Sequence, residues 1–330
     1  MRVARLHGVG DLRLSDEPRP ELRPGCSRVR VRSVGLCGSD LHWFAQGGIG
    51  DAVLRRPLVP GHEICGRVLD GPLAGALVGV DPAIPCRSCP VCLRGDGHLC
   101  PTVAFAGHGS LDGGLAEELI WPTRLLHPLP DGYDRASGAL LEPLGVAVHA
   151  LDLSHLRTAA TVGVVGCGPI GLMLVQLSAA LGARVVAVEP LPHRREAALR
   201  AGARLALAPD DLDGLPERDG CAVVFEVAGA PDAVAAAATL VAPGGRVVLV
   251  GIPDQDTTTL PASTLRRKGI TLAFVRRMTE SAYVRGIGLV ASGTVDLSWL
   301  TDHRFDLDGA PEAFTVAVRR TGLKVVVDVG

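Results

Sequence analysis

The stretch VGVVGCGPIGLMLVQLSAALG, residues 162–182, decides how the rest of the chain folds. It carries no charge, nor does anything else between Arg157 and Arg184, so on hydropathy alone it imitates a membrane span. Gly163, Gly166, Gly168, Pro169 and Gly171 crowd its first half, however, where each would weaken a continuous helix. A buried strand over 162–166, a glycine turn and a buried helix from Pro169 to Gly182 fit the same residues without that penalty. The reading therefore implies no membrane partner.

On the C-terminal side the alternation of strand and helix continues. RVVAVE (184–189) reads as a strand and PHRREAALRAG (192–202) as a helix. CAVVFEVAG (221–229), RVVLVGI (246–252) and ITLAFV (270–275) read as buried β runs, with the Ala-rich helix DAVAAAATLV (232–241) between the first two. That spacing predicts a Rossmann-type, doubly wound parallel sheet over residues 146–276. Residues 1–145 have a different texture, rich in glycine and proline with short β runs such as SRVRVRSVGL (27–36) and EICGRVL (63–69). They predict a mainly antiparallel β domain with long loops. After residue 277 come one helix-like run, ESAYVRGIGLVASG (280–293), and then short strands to the end. The chain thus reads as α/β, with the parallel-sheet domain inserted into a domain formed by 1–145 and 277–330.

Bulk properties agree with two globular domains. A chain of 330 residues exceeds what one hydrophobic core usually supports. With 47% hydrophobic and 21% charged residues and a formal net charge of −2, nothing in the electrostatics calls for nucleic acid or an anionic membrane. The opening MRVARLHGVGDLRL has no apolar signal core, which gives the expectation of a cytoplasmic protein. Of the 33 basic residues only Lys268 and Lys324 are lysine, a bias that reads as genome composition rather than function. Nine cysteines without a secretion signal do not suggest a disulfide framework, so metal binding is the first question.

The glycine turn has the context that dinucleotide binding requires. Gly166, Gly168 and Gly171 of GCGPIG, with Pro169 and Ile170 between them, follow a strand and open a helix. Such a turn brings the backbone close to a pyrophosphate and points the helix N-terminus at it. Glu189 ends the next strand, 23 residues after Gly166, where an acid binds the adenosine ribose. A carboxylate there repels the extra phosphate of NADP, so NAD is the expected cofactor. Arg194 and Arg195 follow closely and are expected beside the adenine or in solvent.

Two sets of residues have metal-ligand chemistry. Cys86, Cys89, Cys92 and Cys100 have the spacing of a closed tetrahedral zinc site, which stabilises a loop and leaves no position open for catalysis. A nucleic-acid-binding ribbon is disfavoured, because the lobe has few basic and few aromatic residues. The second set begins in GLCGSDLHWF (35–44) and continues 25 residues later in PGHE. Cys37 and His62 offer one sulfur and one nitrogen, a pair suited to zinc. Glu142, in ALLEPLGVAVHA at the expected domain junction, is a candidate carboxylate for the same site. A cofactor and an active metal must meet at a cleft, and domain junctions are where clefts form.

With CGSDLHWF, GGIG, PLVPGHE, the four-cysteine lobe, EPLGVAVHA, GCGPIG, FEVAGAP and LVASG in this order, the chain resembles the zinc-dependent medium-chain dehydrogenases/reductases. Within them it is most similar to the branch of sorbitol dehydrogenase and L-idonate 5-dehydrogenase. The resemblance runs nearly end to end. It implies a GroES-like catalytic domain, one catalytic and one structural zinc, NAD, and a homo-oligomer, either dimer or tetramer. It places the catalytic zinc on Cys37 and His62, with Glu63 either a ligand or an orienting neighbour. Glu142 stands where the polyol branch carries a glutamate close to the zinc or its bound water. Ser39 and His42 match a proton relay, and Asp40 a structural position. Trp43, Phe105 and one of Arg276 and Arg277 are then expected to face a polyol or sugar-acid substrate.

Two departures limit the transfer. The segment between PGHE and the cysteine lobe is shorter than is usual, and FVRRM (274–278) leaves open which arginine matches the family's substrate-binding one. A threonine 3-dehydrogenase or an amino-cyclitol dehydrogenase would use the same machinery. A non-catalytic NAD-binding regulator would need no relay, and the set Cys37, Ser39, His42, His62 and Glu142 argues against it.

Overall fold

In the computed structural model, residues 1–50, 52–109, 111–214, 220–253 and 257–330 are described. The chain forms two compact units, one of Met1–Pro143, Thr279–Ala291 and Asp296–Gly330, the other of Leu144–Met278 and Ser292–Val295.

The first unit is built on a seven-stranded sheet among the described residues. Its central strand, Cys26–Gly35, alternates buried and half-exposed side chains along most of its length, the pattern of a sheet with one face on the core. Strands Glu63–Val68 and Lys324–Asp328 flank it antiparallel, and Glu118–Pro122 also pairs with its N-terminal half. Leu77–Val80 and then Leu126–Pro128 extend one side, and Thr301–Asp306 pairs parallel with Lys324–Asp328 on the other. The core holds Leu6, Ile64, Leu115, Trp121 and Phe314, all at most 1% exposed. Burying each such large side chain contributes on the order of 2 kcal/mol.

Among the described residues the second unit holds a six-stranded parallel sheet in the order Leu205–Leu207, Arg184–Val188, Thr161–Val165, Cys221–Glu226, Val241–Leu249, Thr271–Phe274. The order reverses beside Thr161–Val165, so the crevice at the C-terminal end of that strand is where a doubly wound sheet binds its ligand. Helix Pro169–Ala180 begins there, with seven of its twelve residues buried and only Ala180 exposed, in keeping with the absence of charge from the 162–182 stretch. No helix among the described residues is long and apolar enough to cross a membrane.

Among the elements that differ from the sequence reading or were not foreseen by it, three stand out. Residues 310–319 are a helix rather than a strand. Thr315, Val316 and Val318 are β-branched and mislead, whereas buried Ala310, Ala313 and Phe314 keep the helical spacing i, i+3, i+4. GSDLHWFAQ forms the helix Gly38–Gln46, closed by Gly47 in the left-handed region at φ 75°. Leu141–Ser154 forms a further helix that carries Glu142 in its first turn.

Candidate active site

The helix Gly38–Gln46 and the PGHE loop are held together by one side chain. Asp40 is fully buried and accepts hydrogen bonds from the backbone amide of Cys37 at 2.9 Å and that of Gly61 at 3.1 Å. The same carboxylate lies 3.4 Å from His62 Nδ1. It therefore fixes Cys37, the PGHE loop and the histidine ring relative to one another, a role that "structural" understates. Such a carboxylate turns the other ring nitrogen outward as a ligand.

The donor atoms of Cys37, His62 and Glu63 all lie within 4.8 Å of one another. One sulfur, one nitrogen and one oxygen are a zinc-compatible set that leaves a coordination position open. The electrostatics also call for a cation. Burial alone would pull the His62 imidazole below the ordinary histidine value, yet the charges and hydrogen bonds of Asp40 and Cys37 hold it well above. Glu63 Oε2 is buried without an aligned hydrogen-bond donor. The residues present therefore fit a zinc ion.

Glu142 lies outside this cluster of donor atoms but within its electrostatic reach. It is 5% exposed, and burial pushes its carboxyl up to about 7, against the pull of His62. Of the two acids that the sequence leaves open as ligands, Glu63 is the one placed with Cys37 and His62. Ser39 is buried, with Oγ 3.5 Å from His62 Nε2, and His42 lies one turn along the same helix, half-buried, 3.1 Å from Gln46 Oε1 through Nδ1. Phe105 packs its ring 5.3 Å from that of His62. Trp43 is buried in the core with its ring edge-on to His108, 5.7 Å away. His108, 5.3 Å from the His62 ring, is a site residue that sequence reasoning missed, because its surroundings in GHG carry no motif. Lys324, paired with Glu63, was missed as well, although the scarcity of lysine was a usable signal.

The cysteine lobe assembles as its spacing predicts. The sulfurs of Cys86, Cys89, Cys92 and Cys100 lie within 4.8 Å of one another, Cys86 and Cys92 being 3.9 Å apart. Ligands about 2.3 Å from a tetrahedral zinc are separated by about 3.8 Å, so the cage has the right size. Backbone amides of Cys86, Cys89 and Cys92 point at sulfurs of the set, at 3.4, 3.3 and 3.4 Å.

In the parallel-sheet unit, Gly166 turns at φ 96°, and a Cβ there would approach Ala228 N to 2.8 Å. A Cβ on Gly171 would land on Gly166 O, whereas one on Gly168 would meet nothing closer than Arg194, 3.8 Å away. Gly168 caps the helix Pro169–Ala180 without a side-chain hydrogen bond, so the first amides beyond Pro169 and the space before them suit a pyrophosphate. Ile170 lies half-buried in the first turn of that helix. Glu189 is buried and accepts the amides of Cys167 at 2.7 Å and Leu191 at 3.1 Å. Arg195 turns back onto the carbonyls of Glu189 and Pro190. Arg276 is exposed and Arg277 half-buried just after strand Thr271–Phe274, with Arg277 at φ 58°.

Comparison with known proteins follows the same division. The family described as alcohol dehydrogenase GroES-like domain matches residues 23–131, and that described as zinc-binding dehydrogenase matches residues 169–292. Sorbitol dehydrogenase of Bacillus subtilis is 31% identical, the alignment covering 99% of this chain and 97% of that one. A probable D-xylulose reductase A of Aspergillus fumigatus is 32% identical over 98% of this chain and 95% of its own. Among solved structures, L-idonate 5-dehydrogenase from Escherichia coli superposes with a TM-score of 0.92 at 26% identity, covering 99% of this chain and 98% of that one.

Proposed function

The chain belongs to the zinc-binding dehydrogenases with a GroES-like domain, in the sorbitol dehydrogenase branch, and from that premise we propose that it oxidises a secondary alcohol of a polyol, sugar or sugar acid with NAD. It is an oxidoreductase of a family that uses zinc and a nicotinamide cofactor. Cys37, His62 and Glu63 would hold the catalytic zinc, and Cys86, Cys89, Cys92 and Cys100 a structural one. Held by the first set, zinc would supply the acidification of a neighbouring oxygen by several pKa units, and a bound nicotinamide would supply the hydride acceptor.

The protein's own residues do the rest. Asp40 holds the His62 ring and the Cys37 backbone in place. Ser39 Oγ, buried beside His62, accepts the substrate's hydroxyl proton as it gives up its own, and the proton so released passes outward by way of His42 to solvent. Glu142, a buried carboxyl pushed up to about 7, accepts a hydrogen bond from a substrate hydroxyl or a water. Gly166, Gly168, Pro169, Ile170 and Gly171 seat the pyrophosphate, Glu189 the ribose, and Arg194 lies beside Gly168 to face the cofactor. Phe105, beside His62, forms an apolar side of the substrate site, whereas Trp43, 1% exposed, belongs to the core and does not line it.

The carrying observation is that Cys37, His62 and Glu63 converge while Ser39 and Asp40, from the same short helix, face His62. A kinetic panel with the zinc-loaded enzyme tests the reading. Polyols and aldonates such as sorbitol and L-idonate are expected to exceed ethanol and benzyl alcohol in kcat/KM by at least about tenfold, the worth of one buried hydrogen bond satisfied. Faster turnover of the simple alcohols would overturn the substrate class.

A further inference from the structure

The segment FEVAG (225–229) has no part in the mechanism so far, yet it carries a buried acid at the end of the strand Cys221–Glu226. Glu226 is 2% exposed, and among the described residues no cationic side chain pairs with it. Its Oε1 accepts the backbone amides of Ala228 and Gly229, both at 2.8 Å. Burial pushes the carboxyl above the ordinary glutamate value, and the amides of Gly229, Ala228 and Gly251 draw it back. A buried carboxylate without a counter-ion is costly unless such amides compensate it.

The place of Glu226 in the sheet gives that cost a purpose. It stands level with Val165 on one neighbouring strand and with Leu249 on the other. Gly166 follows Val165, and Val250 and Gly251 follow Leu249, so three strand-end turns lie side by side. The amides of Val250 and Gly251 donate to the Glu226 carbonyl at 2.8 and 3.1 Å. Carboxylate and carbonyl of one residue thus tie the turn after Cys221–Glu226 to the turn after Val241–Leu249.

These two turns touch through bare backbone. A Cβ on Gly251 would land on the Gly229 amide and come within 2.9 Å of Glu226 Oε2. A Cβ on Gly229, at φ 65°, would land on the carbonyl of Ile252. No side chain fits between the two segments to fix them, and the Glu226 carboxylate does so instead. Ala228 stays exposed and Ile252 half-exposed on the surface they form.

Two strand-end acids therefore flank the strand Thr161–Val165. Glu189, after Arg184–Val188, fixes the glycine turn on the side read as taking the adenosine ribose. A doubly wound sheet takes a dinucleotide across its switch point, one mononucleotide on each side. The side of Cys221–Glu226 and Val241–Leu249 is then left for the nicotinamide half.

We propose that Glu226 is a positioning residue for the nicotinamide half of the cofactor, holding the turns 227–229 and 250–252 together as one surface. Glu189 does the corresponding work for the adenosine half. The proposal rests on the reading of the glycine turn as a dinucleotide site.

Calorimetric titration with NADH and with AMP separates the two halves, because AMP has no nicotinamide. Glu226→Gln keeps one acceptor oxygen, removes the charge and replaces the second oxygen by a donor. It is expected to weaken NADH binding at least about fivefold and to leave AMP binding within about twofold of wild type. Glu226→Ala, which loses every side-chain acceptor, should weaken NADH further with AMP still unchanged. Glu189→Ala supplies the contrast and should weaken both ligands. Wild-type NADH affinity in both Glu226 variants would overturn the proposal. So would a loss of AMP affinity as large as that of NADH, since Glu226 would then hold the sheet and not one half of the ligand. If the Ala variant does not fold, the Gln variant decides alone on the same criteria. A wild-type protein that binds neither NADH nor AMP would overturn the dinucleotide reading and the proposal with it. Wild-type binding of both ligands, with NADH affinity independent of residue 226, would overturn the proposal only.

Discussion

Asp40 Oδ1 lies 3.4 Å from His62 Nδ1 and also accepts the Gly61 amide, so one oxygen ties the candidate ligand histidine to the loop that carries it. Its partner oxygen accepts the Cys37 amide. Removing the carboxylate should loosen two candidate ligands at once. Asp40→Asn keeps an acceptor oxygen but loses the charge that favours the metal-binding tautomer of His62. It is expected to lower zinc affinity at this site by roughly 10–100-fold, while the cysteine lobe stays loaded. Chelator competition followed by metal analysis reads the difference, and unchanged affinity would make Asp40 a fold residue alone.

Glu189 has two roles that substitutions can separate. Its carboxylate fixes the glycine turn through the Cys167 amide, and its charge opposes a 2′-phosphate. Glu189→Gln keeps an acceptor for Cys167 and removes the charge, so the ratio of kcat/KM for NAD over NADP should fall at least about tenfold with little change in KM for NAD. Glu189→Ala removes both and should raise KM for NAD as well. Equal use of the two cofactors by the unaltered enzyme would contradict this account.

Asp81 makes the fold's stability depend on pH. Burial pushes its carboxyl up to about 6, although it accepts the Ala83 amide at 2.9 Å. The folded state therefore binds this proton more tightly than the unfolded chain does. The contribution is complete below about pH 4 and lost as the pH rises through about 6, a difference of about 3 kcal/mol. Asp81→Asn should remove that slope. The stability gap between variant and wild type, measured by denaturant titration, should widen in the variant's favour from pH 4 to pH 6.5. A constant gap would show that Asp81 titrates normally.

What could be read in the sequence, and what could not, follows from the range of the interactions involved. The glycine turn, the four-cysteine spacing and the parallel-sheet alternation are local patterns, and the structure contains each. The helix Ala310–Arg319 was hidden because its β-branched residues argue locally for a strand, while the packing of Phe314 and Ala313 settles it. Lys324 and His108 were hidden for another reason. They reach His62 and Glu63 only through sheet pairing and loop packing, and no motif near them in sequence records it. Asp40 lay in plain view, but the two amides it accepts, of Cys37 and Gly61, belong to different segments.

The central claim is that Cys37, His62 and Glu63 form a zinc centre on which polyol oxidation depends. Its most direct test is zinc content per chain, measured together with sorbitol-dependent NADH formation, in wild type and in His62→Ala. The account predicts two zinc ions in the wild type, and in the variant one remaining ion, held by the cysteine lobe, with NADH formation reduced at least about 10³-fold, the loss of several kcal/mol of transition-state stabilisation. A His62→Ala protein that keeps both ions, or that oxidises sorbitol at the wild-type rate, would contradict it.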